Sequence, residues 1–239
     1  SPQKIIEEIK YLLNLGVKSI YFFDETFTVD RQRVKDLCRL IIDEGLKLEW
    51  SCNGRVDTLD EEMVKIMKQA GCWSIMFGIE CGSQGILEDA NKGTTLAKEM
   101  DAVRFCKKYG IKVAASFMIG FPNESWQTIK QTLAIAKKIN VHRTQFDMLT
   151  PLPGTKLYEE VKNKGLLEKE YSFSGYDAYC VDELPVIRTE NLSSEELARA
   201  HKYIYRRFYL RPSLWLRTLL DIRSFDQLLN ILKFIRYLK

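Results

Sequence analysis

Five times along this chain an amphipathic stretch stops at a glycine or asparagine, an apolar strand follows, and the strand runs into a polar cluster. The stops are Gly16, Gly45, Gly71, Gly110 and Asn140. They suit helix C-termini, where these residues take the positive φ that other side chains resist. Strands are expected over 17–23, 48–52, 72–79, 112–119 and 144–149. They lead into Asp24-Glu25, Asn53-Gly54-Arg55, Glu80-Cys81-Gly82-Ser83, Gly120-Phe121-Pro122-Asn123-Glu124 and Thr150-Pro151-Leu152-Pro153-Gly154. Strands alternating with helical patterns of about 10 to 15 residues predict βαβ units around a parallel sheet. Ligands of such sheets collect at the carboxyl ends of the strands, so the chemistry is expected at these five clusters.

Helix starts keep the same phase. Ser1-Pro2 reads as a cap with proline at the first helical position, and Asp30 precedes the stripe Val34, Leu37, Cys38, Ile41. Thr58-x-x-Glu61 reads as a capping box before Met63, Val64 and Met67. The chain therefore opens on a helix that should have followed a strand. This predicts a fragment whose five-stranded sheet has an unpaired first edge.

Composition enters the argument at three points. With 46% hydrophobic and 28% charged residues among 239, one large α/β domain with an appendage is expected rather than disorder. No uninterrupted apolar run reaches about 18 residues and no signal-peptide pattern stands at the start, which predicts a cytoplasmic protein. Net charge is +4 overall, yet residues 199–239 carry +8 and the remainder −4. A basic, aromatic appendage thus follows a mildly acidic core.

The six cysteines, at positions 38, 52, 72, 81, 106 and 180, contain no C-x-x-C pair. That argues against zinc-ribbon and thioredoxin chemistry and against a disulfide framework. Cys38 and Cys106 fall on apolar helix faces and read as buried, inert thiols. Cys81 sits at a strand end beside Glu80, either as a reactive thiol or as another packed one. His142 and His201 are too few for the usual hydrolytic metal sites. No G-x-S-x-G elbow or Walker loop appears, and Gly78-x-x-x-Gly82 lacks the spacing of a dinucleotide fingerprint.

After Gly165 the periodicity weakens through Tyr171, Phe173, Tyr176, Tyr179 and Cys180, an aromatic stretch that reads as a lid or as a loop packing its own rings. Ser193-x-x-Glu196 then opens a helix with Leu197, Ala200, Ile204 and Phe208 on one face. Pro212 begins another with Leu214, Trp215, Leu219 and Leu220, and Ser224-x-x-Gln227 begins a last one. Basic helices with an apolar face suit either a membrane interface or packing against another part of the protein. The expected division is 1–165 for the barrel, 166–192 for the aromatic loop and 193–239 for the basic helices.

The ordered runs Phe23-Asp24-Glu25-Thr26-Phe27, Trp50-Ser51-Cys52-Asn53-Gly54-Arg55-Val56-Asp57, Gly78-Ile79-Glu80-Cys81-Gly82-Ser83, Phe117-Met118-Ile119-Gly120-Phe121-Pro122-Asn123-Glu124 and Thr150-Pro151-Leu152-Pro153-Gly154-Thr155 resemble those of radical S-adenosylmethionine (radical SAM) enzymes. The likeness is strongest to the branch with an N-terminal cobalamin (B12)-binding domain, and it covers essentially the whole chain. The resemblance implies a partial TIM-like (β/α)6 barrel, here without its first strand and without the C-x-x-x-C-x-x-C loop that holds a 4Fe-4S cluster. Without three thiolates nothing in this chain is expected to hold that cluster, so the fragment alone is expected to be inactive. The resemblance further implies reductive cleavage of S-adenosylmethionine to a 5′-deoxyadenosyl radical, oxygen sensitivity, and a small-molecule or lipid-like substrate. Cobalamin would serve methyl transfer or another transformation.

By the same resemblance, Asp24 and Glu25 accept from the methionine ammonium of S-adenosylmethionine, and Arg55 forks onto its carboxylate. Glu80 and Asn53 meet the ribose, while Gly120 and Phe121 border the adenine. The residues also admit plainer readings. Asp24-Glu25 would neutralise a helix N-terminus, Arg55 would pair with Asp57 across a loop, and Gly120-Phe121-Pro122 would be a turn. Asp147 near the last strand end would face substrate or cap a neighbouring loop. A clusterless small-molecule-binding module and a membrane-surface module are the alternative functions. The expected partner is the absent N-terminal region, with peripheral membrane contact through 193–239 as the other option. Nucleic acid is not expected, because the basic residues lie among apolar helices rather than beside an exposed stacking surface.

Overall fold

The computed structural model describes residues 1–141, 143–169, 185–212 and 214–215. Five strands form one sheet in the order β1-β2-β3-β4-β5: β1 Ser19–Phe22, β2 Glu49–Gly54, β3 Cys72–Glu80, β4 Lys112–Ile119 and β5 Arg143–Met148. The pairs β1–β2, β2–β3 and β3–β4 are parallel, with Ser19 opposite Glu49, Cys52 opposite Ile75 and Ile75 opposite Val113. The helices are α1 Pro2–Asn14, α2 Arg31–Asp43, α3 Glu61–Gln69, α4 Gln84–Asp89, α5 Leu96–Lys108, α6 Trp126–Ile139, α7 Lys156–Asn163 and α8 Ser194–Tyr209. This is the α/β architecture of an open, partial TIM-like barrel. Among the described residues β1 has a partner on one side alone, and it leaves Tyr21 and Phe23 exposed.

All five predicted stops hold positive φ, from 44° at Asn140 to 92° at Gly71, and each strand begins within four residues of its stop. Strand bounds differ from expectation by a residue or two because end pairing is a tertiary matter. Ser1 and Asp30 cap α1 and α2 as expected, Asp30 accepting from the Arg33 amide at 3.0 Å. The cap of α3 corrects the sequence reading. Thr58 ends a 3-10 turn, Val56–Thr58, and Asp60 takes the cap instead, accepting from the Met63 amide at 2.8 Å. Leu59 and Asp60 are extended, so the acid immediately before the helix is the side chain in reach.

The chain divides into two compact units. The first is Ser1–Glu80, Leu87–Phe117 and Ile139–Gln145; the second is Cys81–Ile86, Met118–Lys138 and Phe146–Lys239. In the first, alternate strand residues Trp50, Cys52, Ile75, Phe77, Val113 and Ala115 are buried, as are the apolar stripes of α2, α3 and α5. The Trp50 indole is fixed by donating to the Ala70 carbonyl at 2.7 Å. On the other face Tyr21, Ser51, Met76, Ala114 and Gln145 line a cleft of about 390 Å³. Burial pushes the thiols of Cys38 and Cys106 up to about 12, so both are inert packing groups, as their helical positions predict.

In the second unit, α8 opens with the predicted capping box of Ser193 and Glu196. Its Leu197, Ala200, Ile204 and Phe208 are fully buried. The Phe208 ring meets Phe146 of β5 at 5.5 Å between centroids, and the His201 ring nitrogen Nε2 lies 2.6 Å from the Phe146 carbonyl oxygen. The apolar face of α8 is thus covered by its own unit, which removes it from the membrane option. The last predicted helix, opening at Ser224, and the aromatic residues Tyr171 to Cys180 lie outside the described residues. Among the described residues no helix is long and apolar enough to cross a membrane.

Candidate functional site

The first three strands of the first unit end in a compact set of polar groups. Asp24 and Glu25 follow β1 and are exposed. Asn53, in β2, joins the strand ends: its carbonyl oxygen accepts from the Tyr21 hydroxyl at 2.5 Å and its amide donates to the Asp24 carbonyl at 3.1 Å. Arg33 of α2 stands 3.7 Å from the Asp24 carboxylate. Because its contact with Asn53 uses the backbone, Asp24 keeps its side chain for other partners.

Arg55 begins the next turn. Its amide donates to the Thr28 hydroxyl at 3.0 Å, and Thr28 and Thr58 share a hydroxyl contact at 2.6 Å. The guanidinium forks onto Asp57, Nε to Oδ1 at 3.0 Å and Nη2 to Oδ2 at 2.8 Å, and also donates to the Lys92 carbonyl at 3.2 Å. Arg55 thereby holds the Asp57 carboxyl below the ordinary carboxylate range. The plainer reading of Arg55 as the partner of Asp57 is what the geometry shows.

Glu80 closes β3 at φ 67°, beyond a break in register between Gly78 and Glu80. Non-glycine residues at positive φ are uncommon, and such backbone concentrates at functional sites. Glu80 forms an ion pair with Lys92. Gly78 makes the space for this pair, since a Cβ there would come 2.7 Å from the Glu80 carboxylate and 3.5 Å from the Lys92 ammonium. Behind the pair lies Glu99 of α5, fully buried, with neither carboxyl oxygen hydrogen-bonded among the described residues. Burial, reinforced by the Glu80 charge and opposed by Lys92, pushes Glu99 up to about 8.

Gly120 and Phe121 fall in the second unit. Gly120 has φ 105°, and its backbone packs against Leu149, Ile187 and Leu197. The amides of Gly120 and Phe121 both donate to the Glu124 carboxylate, at 2.5 and 3.3 Å, and Phe121 is buried. Burial pushes Glu124 up to about 7 despite these bonds. The turn is strapped from 189–191: the Thr189 hydroxyl donates to the Glu124 carbonyl at 2.9 Å and the Glu190 amide to the Pro122 carbonyl at 2.8 Å. Cys81 is buried, with its thiol 3.4 Å from the Ser83 carbonyl.

The structure therefore brings Asp24, Glu25, Asn53, Arg55 and Glu80 to neighbouring strand ends of one unit. Sequence reading missed Lys92, Glu99 and the structural part of Glu124. Glu99 left a trace, being an acid on the stripe Glu99, Ala102, Val103, Cys106 that forms the buried face of α5.

Residues 1–136 match the sequence family described as the radical SAM superfamily. This chain belongs to the radical SAM superfamily. It is 36% identical over 228 residues to an uncharacterised methyltransferase of Pyrococcus horikoshii, covering 94% of this chain and 48% of that protein. It is 30% identical over 219 residues to the anaerobic magnesium-protoporphyrin IX monomethyl ester cyclase of Cereibacter sphaeroides, covering 90% and 35% respectively. The radical S-adenosylmethionine methyltransferase TsrM from Kitasatospora setae, solved with cobalamin and a 4Fe-4S cluster bound, shares the fold. Its TM-score is 0.63 at 19% identity, over 84% of this chain and 41% of that one. The chain thus spans about half or less of the length of these relatives.

Among the described residues the radical SAM chain has no group of three or more potential metal ligands, and its five described cysteines are buried. They do not fit a 4Fe-4S cluster, which needs grouped thiolates. The polar set at the strand ends does fit S-adenosylmethionine. Two exposed carboxylates suit an ammonium, an arginine fork suits a carboxylate, and an amide and a further carboxylate suit ribose hydroxyls.

Proposed function

We propose that this chain is the S-adenosylmethionine-binding portion of a longer radical SAM enzyme, and that Asp24, Glu25, Asn53, Arg55 and Glu80 hold the nucleoside and its methionine part. The supporting observation is their convergence at three adjacent strand ends of one unit. Asp24 and Glu25 accept from the ammonium, Arg55 from its place beside Asp57 donates to the carboxylate, and Glu80 with Asn53 accepts from the ribose. Asp57 keeps the guanidinium aimed, which lowers the ordering cost on binding.

With a reduced cluster supplied by residues outside this chain, S-adenosylmethionine would take up one electron and yield a 5′-deoxyadenosyl radical and methionine, or would supply a methyl group. Cobalamin is proposed as a further cofactor, because TsrM was solved with it and both TsrM and the Pyrococcus relative are described as methyltransferases. The reaction is then methylation or another radical transformation of an organic small molecule. The chain's own share is to orient the ligand and to keep its polar groups paired away from water.

In the full-length protein, Arg55→Ala and the double change Asp24→Ala with Glu25→Ala are each expected to weaken S-adenosylmethionine binding by roughly 10- to 100-fold. This corresponds to one lost charged hydrogen bond of about 1.5 to 3 kcal/mol. Titration calorimetry under anaerobic conditions measures it, and unaltered affinity in both variants removes the assignment.

A further inference from the structure

Lys92 is fixed through its own backbone. Its neighbours Asn91 and Gly93 hold φ 51° and 71°, so the chain kinks immediately before and after it. The Lys92 amide donates to the Leu87 carbonyl at 3.0 Å and the Asn91 amide to the Glu88 carbonyl at 3.0 Å, which ties the turn to the end of α4. The Lys92 carbonyl accepts from the Arg55 guanidinium at 3.2 Å. From this turn the side chain reaches Glu80, where its ammonium meets Oε1, and each side chain of the pair is only 19% exposed. Such a pair is screened by solvent less than a surface bridge is. A pair that merely closed the loop would require neither a left-handed glutamate at the end of β3 nor the open space at Gly78.

Buried Glu99 faces the same ammonium. The 3-10 turn Val56–Thr58 and α3 pack on α5. Of the acids they carry, Asp57 is held by the Arg55 fork, Glu61 by Lys108 at the other end of α5, and Glu62 by Lys35. Lys65, Lys68 and Lys98 are exposed, and Asp101 pairs with Arg104. The charges that bear on Glu99 are Lys92, which favours its ionised form, and Glu80, which opposes it. One ammonium thus stands in the field of two carboxyl groups and can neutralise one of them fully. Burial keeps Glu99 protonated up to about pH 8, which leaves the ammonium to Glu80. Loss of the Glu99 proton to solvent sets a second anion against the first.

We propose that Lys92 is a positioning residue for the Glu80 carboxylate, holding one oxygen so that the other accepts from a ribose hydroxyl, and that Glu99 is the alternative acceptor that draws Lys92 from Glu80 when it ionises. This rests on the assignment of Glu80 to the ribose. In the full-length protein with its cluster, anaerobic calorimetry with S-adenosylmethionine near pH 7 is expected to show Glu80→Gln and Lys92→Met each weakening binding by roughly fivefold or more. In the Glu80→Gln background Lys92→Met should add less than about twofold, because it acts through Glu80. A purely structural lysine would cost the same in both backgrounds, and that result overturns the proposal. A second measurement needs no change at Lys92. From about pH 6.5 to about pH 9, the ratio of the parent's dissociation constant to that of Glu99→Gln should climb from near one to severalfold, the ligand's own titration cancelling in the ratio. A ratio that stays level overturns the role of Glu99. Weakened binding in Glu80→Gln beside unaltered binding in Lys92→Met overturns the proposal alone, whereas unaltered binding in Glu80→Gln removes the ribose assignment and the proposal with it.

Discussion

Glu99→Gln is expected to melt together with the parent chain below about pH 5 and to melt increasingly above it as pH rises through 8. The folded carboxyl titrates at about 8 against an ordinary 4.5. A raised carboxyl contributes fully to stability below its unfolded value and loses that contribution as pH climbs through the folded value. At about 1.4 kcal/mol per unit, the full effect is on the order of 3 to 5 kcal/mol. Glutamine keeps the shape without the charge. Melting curves between pH 5 and 9 provide the check, and parallel curves for the two proteins would show that Glu99 is stably partnered by Lys92 when ionised. The same experiment bears on the site, because Lys92 is the group that pairs with Glu80.

Gly71→Ala is expected to be far more damaging than Gly45→Ala, although both positions stop a helix at positive φ. At Gly71, φ is 92° and a Cβ would lie 1.9 Å from the Leu48 carbonyl oxygen; at Gly45, φ is 64° and nothing stands within 4 Å. Gly45→Ala therefore suffers the backbone term alone, about 1 kcal/mol. Gly71→Ala must also push the chain entering β2 away from β3, where Trp50 donates its amide to the Gly71 carbonyl at 3.1 Å. A loss of at least about 3 kcal/mol is expected. Urea midpoints for the two variants measure the difference, and equal midpoints would mean that the β2–β3 entrance yields freely.

The sheet was legible because its punctuation is local. Each stop needs a residue that tolerates positive φ, and each strand is an apolar run between two such events, so five strands follow from the sequence alone. The strand-end acids and arginine were legible for the same reason, since the end of a parallel strand is where its polar residues go. The pairings were less accessible. Asp57 lies two residues from Arg55 and was foreseen as a partner, whereas Lys92 meets Glu80 through a loop whose path no local pattern encodes. Glu99 and Glu124 are raised by burial, a property of what surrounds them rather than of their neighbours in the chain. The α3 cap went to Asp60 because a 3-10 turn intervened where the motif required an extended Thr58.

The strand order has a kinetic corollary. Every strand pairs with the one synthesised just before it, so the sheet can grow on the ribosome one βα unit at a time, without waiting for a distant segment. At each stage the newest strand is a temporary edge that recruits its successor. Slowing translation within α2 or α3 should therefore be tolerated, while deleting an interior unit would strand every later one without its template.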